Sequence, residues 1–135
     1  MQRLLCVLGL LWALSAVACA TPEQKAQYAE NPEFLPAYTY EDGECFLETA
    51  SLGVEDYSPP RYQISGMTHF VPAQGAMISI RHMTFRYNYD TQNIFLKGTD
   101  GKWYWLDPAE NPISLCQVQL ADLMFQLCYQ IPFIH

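Results

Sequence analysis

Residues 83–106 read MTFRYNYDTQNIFLKGTDGKWYWL, and this stretch decides the fold. Three short runs of alternating character are separated by DTQN at residues 90–93 and GTDG at residues 98–101. Both separators consist of residues that tolerate tight or positive-φ backbone, so an antiparallel three-strand meander is predicted. Closing each separator as a loop of about four residues sets the register. Tyr89 then faces Ile94, Tyr87 faces Leu96, Leu96 faces Trp103 and Ile94 faces Trp105. Period-2 alternation gathers Phe85, Tyr87, Tyr89, Ile94, Leu96, Trp103 and Trp105 on one face. The opposite face collects His82, Thr84, Arg86, Asn88, Phe95, Lys97, Lys102 and Tyr104. One side is aromatic and asks for cover; the other is weakly basic and suits water.

The cover lies downstream. Asp107, Pro108 and Glu110 have helix-start chemistry, and Asn111-Pro112 offers a second start. Residues 113–129 are predicted to be helical. At about 100° per residue, Gln119, Asp122 and Gln126 form one polar stripe, while Cys116, Leu120, Leu123, Met124, Phe125 and Leu127 fill most of the remaining arc. Pro132 stops the segment. A helix so widely apolar must be buried against something, and the aromatic face of the meander is available. The expected fold class is α+β: a small antiparallel β-meander sheet with a C-terminal helix packed on its aromatic face.

Upstream of the meander the signals are weaker. Residues 38–52 hold a turn at Glu41, Asp42, Gly43 and Glu44 between two hydrophobic runs, which predicts a hairpin. Residues 53–75 contain Pro59, Pro60, Pro72 and three glycines, and read as a long connection with one strand at 61–64. Residues 76–89 read as a long strand. Ile78 and Ile80 have the opposite parity to Phe85 and Tyr87, so either both sides are buried at its start or a bulge near residues 81–83 switches faces.

Residues 1–20 read as an export signal, with Arg3 as the charged start and an apolar run at 4–17. Ala18-Cys19-Ala20 fits cleavage before Thr21. Ser15-Ala16-Val17-Ala18-Cys19 resembles a bacterial lipobox, with Ala16 where leucine is usual, and assigns Cys19 as the lipidated residue. Resemblance to bacterial lipoproteins implies an outer-membrane address, because Ala20 rather than Asp follows Cys19. The alternative is a freely periplasmic or secreted protein. Residues 21–37 have three prolines and few large aliphatics, as a flexible arm or tether does, and residues 38–135 form a single α+β domain.

The net charge of −7 argues against nucleic acid as a partner. Nine acids stand against Lys25 in residues 21–60, while residues 61–106 hold five bases against Asp90 and Asp100. There is no C-x-x-C, H-E-x-x-H, G-x-S-x-G or glycine-rich phosphate loop, so no catalytic residue is nominated and no cofactor or metal is expected. Met67, His69, His82 and Met83 are soft ligands, but His82 and Met83 point to opposite sides of a strand. Outside the signal, Cys45, Cys116 and Cys128 remain. On a helix Cys116 and Cys128 lie roughly 18 Å apart, so a disulfide joins Cys45 to Cys116, or alternatively to Cys128.

Arg86, Phe95, Lys97, Lys102 and Tyr104 mix cations with aromatics as protein interfaces do, and are the candidate partner-binding residues. The expected protein is an exported, lipid-anchored binding or accessory protein of the bacterial envelope without catalytic activity. An immunity-type inhibitor or an assembly factor would fit, with a protein partner in the envelope and a lipid anchor as its membrane contact. The alternative is a small-ligand or glycan binder using exposed aromatics, which requires Trp103 or Trp105 to face solvent.

Overall fold

The computed structural model describes residues 22–41, 43–73 and 77–135. The export signal and Cys19 lie outside them. In chain order the elements are α1 (Pro22–Glu30), β1 (Phe34–Tyr40), β2 (Gly43–Ser58), β3 (Arg61–Pro72), β4 (Ser79–Asn88), β5 (Asn93–Lys97), β6 (Trp103–Trp105) and α2 (Pro112–Tyr129). The six strands pair in chain order as one sheet, each antiparallel to the next. The α+β meander with α2 on its aromatic side is thus the observed architecture.

The meander's registers differ from the prediction, and the two differences have unequal consequences. In the β4–β5 turn, Asn88 Oδ1 accepts from the backbone N–H groups of Asp90 and Thr91, both at 3.1 Å. Gln92 takes the left-handed position at φ 60°. The turn therefore closes one residue earlier, on Asn88 and Asn93, and Tyr87 faces Ile94 while Phe85 faces Leu96. This is a slip of two residues, so every side chain keeps its face.

The β5–β6 turn is longer than predicted by one residue. Gly101 sits at φ 81°, a conformation that favours glycine, and Gly98 N–H donates to Lys102 O at 2.7 Å. Lys102 is drawn into the loop, Lys97 faces Trp103, Leu96 faces Tyr104 and Phe95 faces Trp105. A one-residue slip exchanges the faces of the whole strand. Trp103 and Trp105 therefore leave the side expected for them and join Arg86 and Phe95. Tyr104 moves the other way, and its hydroxyl donates to Asp100.

The second helix start is the one used. Asn111 caps α2 by accepting the Ser114 N–H at 2.9 Å, with Pro112 at the first position, and Gln130 ends it in the left-handed region. The buried face of α2 presents Val118, Ala121, Met124 and Phe125 to Leu47, Ile64, Phe85, Tyr87 and Ile94 of the sheet. Gly66 lets the helix come close: a Cβ there would stand 3.2 Å from Met124 Cε and 3.3 Å from Leu47 Cδ1. Tyr87 donates its hydroxyl to Ala121 O at 2.7 Å, so its burial leaves no orphan. Beyond the helix, Phe133 returns to the core between Tyr87, Tyr89 and Phe125. Asp122 Oδ1 accepts the Phe133 N–H at 2.8 Å and Gln92 Nε2 donates to Phe133 O at 2.8 Å, which fastens this segment to both α2 and the β4–β5 turn.

Two further expectations are revised. The predicted long connection at 53–75 is instead the second half of β2 and all of β3. Residues 49–52 form a bulge, in which the Ser51 hydroxyl donates to Glu48 O and accepts the Met67 N–H. β4 pairs with β3 without any bulge, so Ile80 stays on the Arg86 side and is 55% exposed. Residues 21–37, expected as an arm, hold α1 and the start of β1. α1 rests on the sheet through Tyr28, whose ring meets Phe34, Phe46 and His69.

Candidate functional site

The side of the sheet opposite α2 is covered by α1 only at its β1–β3 end. Toward β6 it is open. Alternation and register place Gln63 beside Arg86, Arg86 beside Phe95, and Phe95 beside Trp105, a row running across four strands. Lys97 and Trp103 form the next row at the turn end.

The row is tied together by its polar members. Arg86 Nε donates to Gln63 Oε1 at 3.1 Å, and Gln63 Nε2 donates to Glu55 Oε2 at 2.6 Å. The Arg86 guanidinium lies 4.0 Å from the centroid of the Trp103 ring, a cation–π contact. Stacking fixes the plane of the guanidinium, while Nε is already spoken for; the Nη groups have no acceptor among the described residues. Trp105 is 56% exposed and Trp103 partly covered. A groove of about 450 Å³ runs beside the row, lined by Asp56, Arg61, Gln63, Arg86, Asn88 and Phe95 among others.

Of the five residues named for a partner, Arg86, Phe95 and Lys97 share this open face. Lys102 is exposed in the β5–β6 turn, and Tyr104 lies on the other face, half exposed at the sheet's edge. Sequence reasoning missed Trp103 and Trp105 as members of the open face. The available signal was the glycine at 101, which permits a five-residue loop as readily as a four-residue one. Arg61 and Gln63 fall in the strand predicted at 61–64 and Asn88 on the face predicted for Arg86, but with the pairing of β3 to β4 unread none of the three was named for a partner.

The remaining soft ligands are partly brought together. Met67 stands directly opposite His82, and His69 shares their face two residues along β3. His69, however, is buried under α1, where the Tyr28 hydroxyl and its Nδ1 are 2.8 Å apart. Among the described residues no group of three His, Cys, Asp or Glu side chains gathers to hold a metal ion.

The three thiols are free. Cys45 and Cys116 are neighbours in electrostatic reach of each other and of Tyr38, at the end of the core where β1 and β2 meet the start of α2. Cys116 Sγ lies 3.7 Å from Thr39 O, one residue from the Tyr38–Cys45 cross-strand pair. Burial pushes the Cys45 thiol up to about 11, with the Tyr38 hydroxyl opposing that shift through a hydrogen bond. Cys128 is twelve residues, roughly 18 Å, further along α2, beside Tyr87 and Tyr129. Among the described residues no helix is long and apolar enough to cross a membrane. Neither a protein-family model, a curated protein nor a solved structure matches the chain.

Proposed function

We propose that the chain is an exported, lipid-anchored binding protein of the bacterial envelope, without catalytic activity of its own, that docks a protein partner on its open sheet face. An inhibitor of an envelope-acting enzyme or an assembly factor are the forms of accessory protein that this describes. One observation carries the reading: the slip at Gly101 sets Trp103 and Trp105 on the uncovered side beside Arg86, Phe95 and Lys97. Tryptophan and arginine are the residues most often dominant in protein interfaces, and the α2 side already satisfies the core. The cations select an acidic partner surface and discriminate against the chain's own net charge of −7.

Charge reversal at Arg86 and Lys97 is expected to abolish partner recovery from envelope fractions. Both side chains are exposed, so stability should fall only by what an exposed cation–π contact and one exposed hydrogen bond supply, ~1–2 kcal/mol. Leu115→Glu on the outer side of α2 serves as the control and should recover partner normally. Equal recovery by the reversed and control proteins sinks the reading.

Export also bears on the thiols. In an oxidising compartment Cys45 and Cys116 are expected to close a disulfide, their two thiol hydrogens and two electrons passing to a disulfide-donating oxidoreductase. Intact-mass measurement of protein taken from membranes without reductant tests both ideas. It should find lipid on Cys19, and a mass lower by two hydrogens with Cys128 alone open to alkylation. Protein beginning at Thr21, or three alkylatable thiols, contradicts the anchor or the bridge respectively.

A second reading, a small-ligand or glycan binder, is favoured by the half-exposed indole of Trp105 beside a groove with planar polar side chains. Against it, the Trp103 ring face nearest the groove is already occupied by Arg86.

A further inference from the structure

We infer that the groove between β3, β4 and β5 is a carboxylate-binding subsite, and that the docking partner fills it with an aspartate or glutamate side chain next to an apolar residue. The inference rests on the docking reading above and specifies its chemistry.

The hydrogen-bond ledger of the groove is lopsided toward donors. Asn88 spends Oδ1 on the β4–β5 turn, accepting from Asp90 and Thr91, which leaves its amide N–H groups without an acceptor among the described residues. Arg86 spends Nε on Gln63 and its ring-facing surface on Trp103, which leaves its Nη groups. Arg61 stands directly opposite Asn88 on β3 and has no acidic partner among the described residues. Gln63 already uses its oxygen on Arg86 and one amide N–H on Glu55. The acceptor in the lining is Asp56, and one of its oxygens already takes the Ser58 hydroxyl at 2.9 Å.

Charge decides which anion fits. Arg61 and Arg86 against Asp56 leave a single net positive charge in the lining, with Glu55, bonded to Gln63, outside it. A monoanion balances it; a phosphate dianion overfills it and meets Asp56. A planar carboxylate also matches the guanidinium fork, which a stacked arginine presents with little ordering left to do. Phe95 forms part of the wall and Trp105 continues it, an apolar ledge for whatever flanks the carboxylate. That ledge, with the flat approach of an open sheet, favours an acidic side chain on a protein over a free small acid.

The test uses the full chain, isotope-labelled, with three probes read by NMR at the Asn88 and Gln63 side-chain amides and Arg86 Nε–H. The probes are acetyl-Leu-Glu-Leu-amide, the same peptide with glutamine, and glucuronate. The glutamate peptide should give saturable shifts at Asn88 and Arg86, and the glutamine peptide should bind about ten-fold more weakly. Arg61→Gln should weaken the glutamate peptide to the level of the glutamine peptide. Equal binding of the two peptides, or no shift up to ~10 mM probe, overturns the subsite. Tighter binding of glucuronate than of peptide overturns the protein origin of the carboxylate and moves it to an acidic sugar. Partner recovery by the Arg86 and Lys97 reversals is a separate readout: if it is lost while the peptides fail, the docking face stands and the subsite falls.

Discussion

Phe125→Ala should remove ~3–5 kcal/mol of stability, the largest loss expected from any single truncation in this chain. Phe125 is fully buried, and five aromatic rings surround it: Tyr62, Tyr87, Tyr89, Tyr129 and Phe133, at centroid distances of 4.8 to 5.9 Å. Those rings come from β3, β4, the β4–β5 turn, α2 and the segment after it. Collapse into the vacated space is hindered because Tyr87 is held by its bond to Ala121 O and Phe133 by Asp122 and Gln92. The site thus retains a cavity, which is the condition for the upper end of the range. Single domains have about 5–15 kcal/mol in total, so the variant should be largely unfolded at mild denaturant concentrations that leave the parent folded. Urea unfolding followed by near-ultraviolet circular dichroism measures it. A loss under ~1.5 kcal/mol would mean that the ring cluster repacks freely, against the geometry described above.

The second large effect is alkaline unfolding. Burial raises the Tyr87 hydroxyl well above the ordinary phenol range, and burial also raises Tyr38, Tyr129 and Cys45, Tyr129 to about 12 and Cys45 to about 11. In the unfolded chain the phenols titrate near 10.0 and the thiol near 9.0. These groups are acids whose folded values exceed their unfolded ones, so above pH ~9 the folded chain holds more protons than the unfolded chain and stability declines as pH rises. Below pH ~9 their contribution is complete. Each group in the gap between its two values lowers stability by up to ~1.4 kcal/mol per pH unit, and the fully buried pair Cys45 and Tyr87 together set a slope of ~2 kcal/mol per unit between pH 10 and 11. Reduced protein should therefore melt at a constant temperature to pH ~9 and unfold cooperatively above 10, with tyrosinate absorbance rising in the same step. Ionisation of Tyr87 itself, read from its ring carbon-13 shift, ahead of the loss of tertiary signal would count against a buried phenol. Closing the Cys45–Cys116 bridge removes the thiol from this slope and leaves the tyrosines.

What could be read in the sequence and what could not divide along one physical line. Side-chain periodicity is local, and it located the β-runs of the meander and the α2 helix, whose Asn111-Pro112 start is observed; of the polar stripe Gln119, Asp122 and Gln126, the two glutamines are exposed while Asp122 is half-buried against Phe133. Register is not local. It depends on how many residues a turn consumes, and GTDG followed by lysine is compatible with two answers that differ by one. The four-residue answer sends Trp103 and Trp105 under α2; the five-residue answer selected by Gly101 sends them out. The candidate site therefore hinged on a single turn, and Arg86, Phe95 and Lys97 were found while the two indoles were assigned to the wrong side. Only the first four residues of β3 were read as a strand, for a different reason. Gly66 and Pro72 read as loop signals, yet Gly66 is where α2 packs closely on the sheet and Pro72 ends the strand.

The placement of α1 sets a geometric limit on any partner. α1 lies on the same side of the sheet as the tryptophans, and Pro22 opens it. If Cys19 bears acyl chains, three Cα steps separate it from Pro22, spanning at most ~11 Å. With the nine residues of α1 adding about 14 Å, the working surface is confined to a layer a few nanometres deep above the bilayer. A partner held at the same membrane would then share that thin layer with the docking face, at a raised effective concentration.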